Sequence, residues 1–154
     1  MPRLEFLRPE AVAPALRANR KKQVLQEISA HAARLTGLGE REVFETLLQR
    51  ERLGSTGIGD GIAIPHGKLP HLDRLFGLMA RLEKPIDFDA VDGEPVDIVF
   101  LLLAPAGAGA DHLKALARVA RVLREPGICE RIRTARDANA LYAVLSGAAA
   151  PRAA

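Results

Sequence analysis

The sequence predicts one domain in which strands and helices pack as an α/β or α+β sandwich. The chain has 154 residues, 48% of them apolar and 27% charged, which is the balance of a globular domain with a single core. Apolar residues recur at helical spacing in several segments, and these segments alternate with shorter runs typical of strands. The run at residues 96–104 is apolar without alternation, which is the pattern of a strand covered on both faces. A sheet with helices packed on it accounts for these observations.

Two helices are predicted in the first third of the chain. The first spans about residues 20–35 and ends at Gly37, and the second spans about residues 40–51 and closes before Gly54. Their apolar faces are formed by Val24, Leu25, Ile28, Ala32 and Leu35 in the first helix and by Val43, Phe44, Leu47 and Leu48 in the second. A glycine-rich loop follows, and it contains a short strand at residues 62–64.

Two longer strands come next, at residues 75–83 and 96–104, and a turn-rich connection with room for a short edge strand joins them. A long amphipathic helix is predicted over residues 111–125, with Asp111 as its N-cap and His112 outside its buried stripe. The stripe is predicted to consist of Leu113, Leu116, Val119, Ala120 and Leu123.

The chain is predicted to end in two short helices, over about residues 126–135 and 137–146. Asp137 is the expected N-cap of the last helix, and the glycine directly after that helix is its stop. Residues 1–147 are therefore expected to form the domain, and residues 148–154 are expected to be a disordered tail.

Composition argues against several classes of function. The formal net charge is only +3, aromatic residues are 4% and Trp is absent, so the basic stripe and stacking aromatics of a nucleic-acid binder are missing. Cys129 is the single cysteine, which excludes an internal disulfide and a Cys-based zinc site. No apolar run approaches the ~20 residues needed to cross a bilayer, and the amino terminus lacks the apolar core of a signal peptide. We therefore expect a cytoplasmic protein without membrane insertion.

The segment "STGIGDGIAIPHGK" (residues 55–68) carries the strongest functional signal. Nucleotide-binding glycine loops follow a strand and open a helix, whereas this loop follows a helix and precedes a strand, so a nucleotide site is not predicted. The glycines alone can be explained as turn residues that supply positive φ angles. That explanation leaves out His66, which Pro65 holds on a stiff backbone while Gly67 leaves room for another group to approach. An isolated histidine of this kind is nevertheless more often structural than catalytic.

Two further polar residues favour chemistry at His66. His112 opens the long helix after the buried strand, a position where α/β sheets hold ligands and where a helix amino terminus favours an anion. Arg50 lies at the end of the second helix, just before the glycine loop. These residues suit a phosphoryl group, because neutral imidazole is a nucleophile near pH 7 and a guanidinium can bind two phosphoryl oxygens with bidentate hydrogen bonds.

Residues 50–69, "RERLGSTGIGDGIAIPHGKL", resemble the active-site signature of the type-2 enzyme IIA domains of the bacterial phosphoenolpyruvate-dependent phosphotransferase system (the mannitol/fructose superfamily). The fuller similarity is to nitrogen-related enzyme IIA, whose members begin with a short strand-like "L..P" segment and a lysine-rich first helix, here "ANRKKQVLQEISAHAA". The "PIDFDAVDGEPVD" turn and the "HLKALARVARVL" helix match as well. The resemblance covers roughly residues 4–146.

The resemblance implies a single-domain mixed β-sheet flanked by helices, the type-2 enzyme IIA fold. It implies that His66 is the phosphoryl acceptor, Arg50 the supporting arginine and His112 the second active-site histidine. It also implies a loop that approaches the phosphoryl group closely and exposes backbone N–H groups. The residues of this loop are Ser55, Thr56, Gly57, Gly59, Gly61, Pro65 and Gly67. No metal or cofactor is required in such a site. The family often has Asn where this chain has Asp60, and we expect the added negative charge to tune transfer or partner choice.

By the same resemblance, the protein is expected to be a phosphocarrier and regulator of the nitrogen-related phosphotransferase system. An HPr-like protein, charged by enzyme I and phosphoenolpyruvate, would pass its phosphoryl group to His66, and the phosphorylation state would control targets such as potassium-transport or signalling components. The alternative is a sugar-transport enzyme IIA of the fructose or mannitol type that passes the group to a separate IIB protein. A third possibility is a hydrolase that uses Ser55 with His66 and an aspartate, but Ser55 lacks the context of a nucleophile elbow.

Overall fold

The computed structural model describes residues 4–147. Within these residues, the elements follow in the order β1 (Leu7–Leu16), α1 (Lys21–Thr36), α2 (Glu40–Leu53), β2 (Gly57–Gly59), β3 (Ile62–Ala63), β4 (His66–Leu69), β5 (Phe76–Ile86), β6 (Val96–Pro105), α3 (Ala110–Leu123), α4 (Ile128–Thr134) and α5 (Ala138–Ser146). None of the helices in this part of the chain combines the length and the apolar composition needed to cross a membrane. The predicted tail, residues 148–154, lies outside the described residues.

The strands form one mixed sheet, as the resemblance implies. Its order is β1–β5–β6–β3–β2, and β4 also pairs with β6, on the same edge as β3. β1 is parallel to β5, and β3 and β4 are parallel to β6. The β5–β6 and β2–β3 pairs are antiparallel. The predicted fold class, a mixed sheet flanked by helices, is confirmed.

β6 lies at the centre of the sheet and is buried on both faces. Its residues from Ile98 to Ala104 are all buried. Because alternate side chains of a strand point to opposite faces, this burial requires packing on both sides of the sheet. α1 packs against α2, and α4 packs against both α3 and α5. The two-sided burial predicted from the apolar run at residues 96–104 is therefore confirmed.

The structure replaces the predicted loop at His66 with a strand. β3 pairs with β6 at Ile62, opposite Ile98, and β4 resumes the pairing along the same edge at His66, opposite Leu102. The two strands are separated at Pro65, which has no N–H to donate and whose carbonyl accepts a hydrogen bond from the Leu102 N–H at 2.9 Å. The expectation that His66 lies on an open loop is wrong, because the pairing with β6 continues past the proline.

α3 begins earlier than predicted and buries a different face. The helix starts at Ala110 with Gly109 as its N-cap, so the capping role predicted for Asp111 is wrong. His112 is buried and Leu113 is 69% exposed, so the predictions for these two residues are wrong as well. The observed stripe consists of His112, Ala115, Val119, Val122 and Leu123. Neighbouring residues on a helix lie about 100° apart, so an error of one residue in phase exchanges a buried position for an exposed one.

The predicted ends of two other helices are confirmed. α1 stops at Gly37 and α5 stops at Gly147, and both glycines adopt the left-handed conformation, with φ of 79° and 76°. Asp137 caps α5, because its Oδ1 accepts a hydrogen bond from the backbone N–H of Ala140 at 2.9 Å.

Candidate functional site

The end of α2, the start of β4 and the start of α3 meet around an open cleft of about 540 Å³. The sheet register explains this meeting, because His66 opens β4 near the carboxyl end of β6 and α3 begins shortly after that end. The cleft is lined by Thr46, Gln49, Arg50, Arg52, Leu53, His66, Gly67, Lys68 and His112. The three residues for which the resemblance implies active-site roles, Arg50, His66 and His112, therefore lie in one place.

Two neighbours fix which nitrogen of the His66 ring carries the proton. Nδ1 lies 2.8 Å from the carbonyl oxygen of Ile64, which can only accept, so Nδ1 carries the proton and donates. Nε2 lies 3.2 Å from Nε of Arg50, whose N–H can only donate, so Nε2 presents a lone pair. The neutral ring is therefore the Nδ1–H tautomer, and Nε2 is its nucleophilic atom.

Arg50 is held in position by its own helix and by Gly67. Its Nη1 donates to the carbonyl of Gly54, 2.8 Å away. Thr46, one helical turn earlier, packs on Gly67, where a Cβ would lie 2.6 Å from Cγ2 of the threonine. The absent side chain at Gly67 thus lets α2 lie directly against β4 and brings Arg50 to His66. Thr46 therefore occupies the space that the missing side chain of Gly67 leaves.

His112 approaches the His66 ring from the first turn of α3. The centroids of the two rings are 5.6 Å apart, and the ring planes meet at 63°. His112 is 6% exposed, and its Nε2 has no hydrogen-bond partner among the described residues. A buried polar atom without a partner costs free energy, so this nitrogen marks His112 as a strained position beside the cleft.

Burial favours the neutral form of both rings near pH 7. Desolvation, the largest effect, lowers the pKa of His66 below its ordinary value of 6.5. The hydrogen bond to the Ile64 carbonyl opposes this change, and the positive charge of Arg50 reinforces it. Desolvation also lowers the pKa of His112, with smaller contributions from His66 and Lys68. The neutral His66 ring can therefore act as a nucleophile at neutral pH, and the neutral His112 ring still has one N–H to donate.

The cleft has the chemistry of an anion site. The charged side chains that line it are Arg50, Arg52 and Lys68, all of them positive, and no carboxylate is among its lining residues. Within residues 4–147, no three His, Cys, Asp or Glu side chains lie close enough together to hold a metal ion. Guanidinium and ammonium groups beside neutral imidazoles suit the oxygens of a phosphoryl group.

Five residues of the predicted phosphoryl loop have no part in the walls of the cleft. Ser55, Thr56, Gly57, Gly59 and Gly61 are not among the residues that line the cleft. The β2–β3 hairpin lies beside the start of β6, where the Gly61 carbonyl accepts hydrogen bonds from the N–H groups of Asp97 and Ile98. His66 pairs with Leu102, four residues further along β6, which is a rise of roughly 13 Å. The structure therefore does not bring the glycine hairpin to His66.

Ser55 and Gly57 contact the connection between β5 and β6. Ser55 Oγ donates to the carbonyl of Phe88 at 2.6 Å, so its single hydroxyl proton is not shared with His66. The serine–histidine pair that a hydrolase would need is therefore not formed. A Cβ at Gly57 would lie 2.9 Å from Cα of Ala90, so this glycine is required for the close approach of two backbone segments.

Asp60 lies at the tip of the same hairpin. Its φ is 58°, in the left-handed region that Asp and Asn tolerate better than most residues. Its N–H donates to Oδ2 of Asp92, and its carbonyl accepts from Nη2 of Arg133, each at 3.0 Å. This position gives no support to the expected influence of Asp60 on phosphoryl transfer, whereas an influence on partner choice stays a prediction.

Three residues at or beside the site, Thr46, Lys68 and Glu51, have no predicted site role. Thr46 precedes Arg50 by one helical turn and Lys68 follows His66 by one strand repeat, so the two periodicities place both on the faces that carry the site. Glu51 gives no such signal, because a carboxylate in the last turn of a helix is normally solvated. In the structure its side chain is only 4% exposed.

Comparison with known proteins gives the class of protein that this fold and cleft belong to. Residues 5–148 match the family described as "Phosphoenolpyruvate-dependent sugar phosphotransferase system, EIIA 2". The chain belongs to this family of phosphotransferase-system enzyme IIA proteins. The resemblance drawn from residues 50–69 is thereby confirmed.

Individual proteins and solved structures that are similar to this chain include nitrogen regulatory proteins. A nitrogen regulatory protein of Bradyrhizobium diazoefficiens is 63% identical over 146 residues, which cover 95% of each chain. The crystal structure of the nitrogen regulatory protein IIA-Ntr from Neisseria meningitidis has a TM-score of 0.87 at 35% identity, covering 92% of this chain and 97% of that one. The crystal structure of IIA mannitol from Escherichia coli has a TM-score of 0.75 at 18% identity, covering 89% and 96%, and this similarity concerns the fold alone.

Proposed function

We propose that the protein is a phosphocarrier and regulator of the nitrogen-related phosphotransferase system. His66 accepts a phosphoryl group at Nε2 from the phosphohistidine of an HPr-like protein, which enzyme I charges with phosphoenolpyruvate. The observation that carries the proposal is the tautomer of His66, whose Nε2 presents a lone pair in an open cleft shared with Arg50 and His112. The nitrogen regulatory proteins among the relatives support assignment to this branch.

The transfer exchanges one phosphorus–nitrogen bond for another. The lone pair on Nε2 of neutral His66 forms the new bond to phosphorus while the bond to the donor's histidine breaks, and the electron pair of that bond returns to the donor's ring. The Nδ1 proton stays on the hydrogen bond to the Ile64 carbonyl throughout. The transition state of such transfers is loose, so the protein acts mainly by positioning and by stabilising charge on the phosphoryl oxygens.

Three side chains of the cleft are assigned to the phosphoryl oxygens. The hydrogen bond from Arg50 Nε to His66 Nε2 breaks when the phosphoryl group bonds to Nε2, and the guanidinium then donates hydrogen bonds to the phosphoryl oxygens. His112, which lines the cleft with its ring centroid 5.6 Å from that of His66, donates a ring N–H to a phosphoryl oxygen. Lys68 adds a second positive charge beside the cleft. No metal or cofactor takes part in this step.

The regulatory part of the proposal follows from charge. The phosphoryl oxygens carry about two negative charges, partly offset by the positive ring that keeps its Nδ1 proton, and this change of charge at one surface point alters the preferred partners of the cleft. By the family resemblance, the targets are components of potassium transport or of signalling in the cytoplasm. The sugar-transport alternative differs in one respect, since it requires onward transfer from His66 to a separate IIB protein.

Reconstitution of the relay tests the proposal. The protein is incubated with labelled phosphoenolpyruvate, enzyme I and an HPr-like carrier, beside the variants His66→Ala and His71→Ala. We expect stable, acid-labile label in the wild type and in His71→Ala, whose histidine is exposed and outside the cleft, and none in His66→Ala. Label that survives in His66→Ala contradicts the assignment. Onward transfer to a IIB protein and sugar favours the transport alternative.

A further inference from the structure

A buried carboxylate follows Arg50 in the last turn of α2. The Glu51 side chain accepts hydrogen bonds from the backbone N–H of Thr56 at 3.1 Å and from the hydroxyl of the same residue. The ammonium of Lys21, the first residue of α1, lies 2.8 Å from this carboxylate and 4.9 Å from the centroid of the Phe88 ring. Glu51 does not line the cleft, so contact with a ligand there does not account for its burial.

These contacts close the turn that follows α2. The N–H of Gly54 donates to the backbone carbonyl of Glu51 at 3.1 Å, and the Gly54 carbonyl accepts from Nη1 of Arg50 at 2.8 Å. Thr56, two residues further on, is tied back to the Glu51 side chain. The glycine is therefore held between two fixed points, and the direction of its carbonyl sets the direction of the guanidinium.

Stability alone is a weak reason for such a network. Burying an ion pair costs desolvation of both charges, and this cost often offsets their attraction. A buried network whose members are fully hydrogen-bonded does, however, specify one local geometry. Here the geometry that is specified is the approach of Arg50 Nε to His66 Nε2, which are 3.2 Å apart.

We propose that Glu51 is a positioning residue for the phosphoryl-transfer site. Held by the ammonium of Lys21, it fixes Thr56 and the turn at Gly54, and that turn keeps Arg50 directed at the phosphoryl acceptor. The effect on transfer rate rests on the function proposed above. The effect on the Arg50 hydrogen bond does not depend on it.

Thr56 offers a matched pair of variants for the test. Removal of Lys21 leaves the buried Glu51 carboxylate without its cation, and removal of Glu51 leaves the Thr56 N–H and hydroxyl without their acceptor, so either change risks unfolding the protein. Thr56→Val keeps the branched shape and removes the hydroxyl, whereas Thr56→Ser keeps the hydroxyl. We expect Thr56→Val to slow phosphorylation of His66 by the phosphorylated HPr-like donor roughly 10-fold, and Thr56→Ser to restore the rate. Thermal unfolding of both variants separates loss of rate from loss of folded protein.

The same pair in an Arg50→Ala background tests the route of the effect. If Thr56 acts through Arg50, the two double variants are phosphorylated at equal rates, because the guanidinium to be positioned is gone. The proposal is overturned if the phosphorylation rate of Thr56→Val, divided by that of Thr56→Ser, is the same with Arg50 present and in the Arg50→Ala background. Equal rates of the two single variants overturn it as well.

A measurement without any donor separates this inference from the proposed function. In ¹⁵N-labelled, unphosphorylated protein, we expect slow exchange with water for the Arg50 Nε–H that binds His66. The exchange should become faster in Thr56→Val and stay slow in Thr56→Ser. If the donor does not label the wild type but exchange follows this pattern, the proposed function fails and the positioning role stands. Identical exchange in the two variants contradicts the positioning role.

Discussion

At the scale of single residues, the chemistry of the cleft depends on where one proton lies. The Ile64 carbonyl holds it on Nδ1 of His66, and the Arg50 N–H marks Nε2 as the atom with the lone pair. The carbonyl can only accept a hydrogen bond and the arginine N–H can only donate one. In the other neutral tautomer, the lone pair of Nδ1 would face the Ile64 carbonyl oxygen and the Nε2–H would face the Arg50 N–H, and neither hydrogen bond could form. The backbone and the arginine thus fix the tautomer of the ring in the unmodified protein.

The first residue-scale prediction concerns Arg50. Replacing it with Ala should slow phosphorylation of His66 by roughly 10²–10³-fold, because one preorganised electrostatic group is lost. Arg50→Lys should recover only part of the rate, since an ammonium lacks the two-pronged geometry. Arg41→Ala is the control, because Arg41 lies on the same helix with its side chain 90% exposed and outside the cleft. Transfer from the phosphorylated HPr-like donor is followed by rapid quench. A wild-type rate in Arg50→Ala removes its role, and Arg52 is then the next candidate.

The second residue-scale prediction is the dependence of transfer on pH. Only the neutral His66 ring has a free lone pair, and burial lowers the pKa of that ring below 6.5. As the pH falls, protonation therefore begins later than in an ordinary histidine, and the rate of phosphoryl acceptance should fall with a midpoint below pH 6.5. Single-turnover rates across this range are compared with NMR titration of the His66 ring. A midpoint at or above 6.5 would show that burial does not control the nucleophile.

At the scale of elements, apolar periodicity predicts the long elements and misses the short ones. Helical spacing places α1 and α2 close to their observed bounds, and the unbroken apolar run places β6. β1 was implied only as a short strand-like segment, because Pro9 and Pro14 interrupt the pattern of a strand that lies at the edge of the sheet. β2 and β4, of three and four residues, are too short for any periodicity to show.

The glycine hairpin shows a different limit of sequence reasoning. Gly57, Gly59 and Gly61 are close to His66 in the chain, and the family resemblance implies that they approach the phosphoryl group. Parallel pairing with β6 separates them, because β3 and β4 run along the strand one after the other. The glycines serve packing and turn geometry, and that need depends on residues far away in sequence, such as Ala90.

The prediction at this scale compares two leucines of α3. Leu123 is 1% exposed, so Leu123→Ala should lower the free energy of unfolding by about 2–5 kcal/mol through lost burial and a residual cavity. Leu113 is 69% exposed, so Leu113→Ala should change it by less than about 0.5 kcal/mol. Urea unfolding of the two variants beside the wild type measures both values. Equal destabilisation would mean that the helix has the phase first predicted from the sequence, with Leu113 inside.

At the scale of the whole molecule, the fold brings three distant segments to one end of its central strand. Arg50, His66 and His112 come from α2, β4 and α3, and each is placed by packing against its neighbours. The resemblance, which covers roughly residues 4–146, implies their roles, but the sequence does not give their contacts. The burial of His112, in particular, depends on which face of α3 is turned to the core. The sequence pattern predicts that face with an error of one residue.

The whole-molecule prediction is a switch in partner binding. The charged side chains that line the cleft are the cations Arg50, Arg52 and Lys68, so a phosphoryl group with about two negative charges on its oxygens should strongly reduce the positive potential there. We expect the targets retained by the phosphorylated protein to differ from those retained by the unphosphorylated wild type and by His66→Ala. Affinity capture with the three forms, followed by binding measurements on each purified target, checks this. A target that binds all three forms equally is not regulated through His66.

The central claim is that Nε2 of His66 carries the phosphoryl group. The most direct test is long-range ¹H–¹⁵N NMR of the ¹⁵N-labelled protein, with phosphorus coupling, before and after phosphorylation by the HPr-like donor. Before phosphorylation, the His66 ring should be the Nδ1–H tautomer. Afterwards, one phosphohistidine should be present, with phosphorus coupled to Nε2 of His66 and the proton still on Nδ1. Phosphorus on Nδ1, on another residue or on no residue at all would contradict the account.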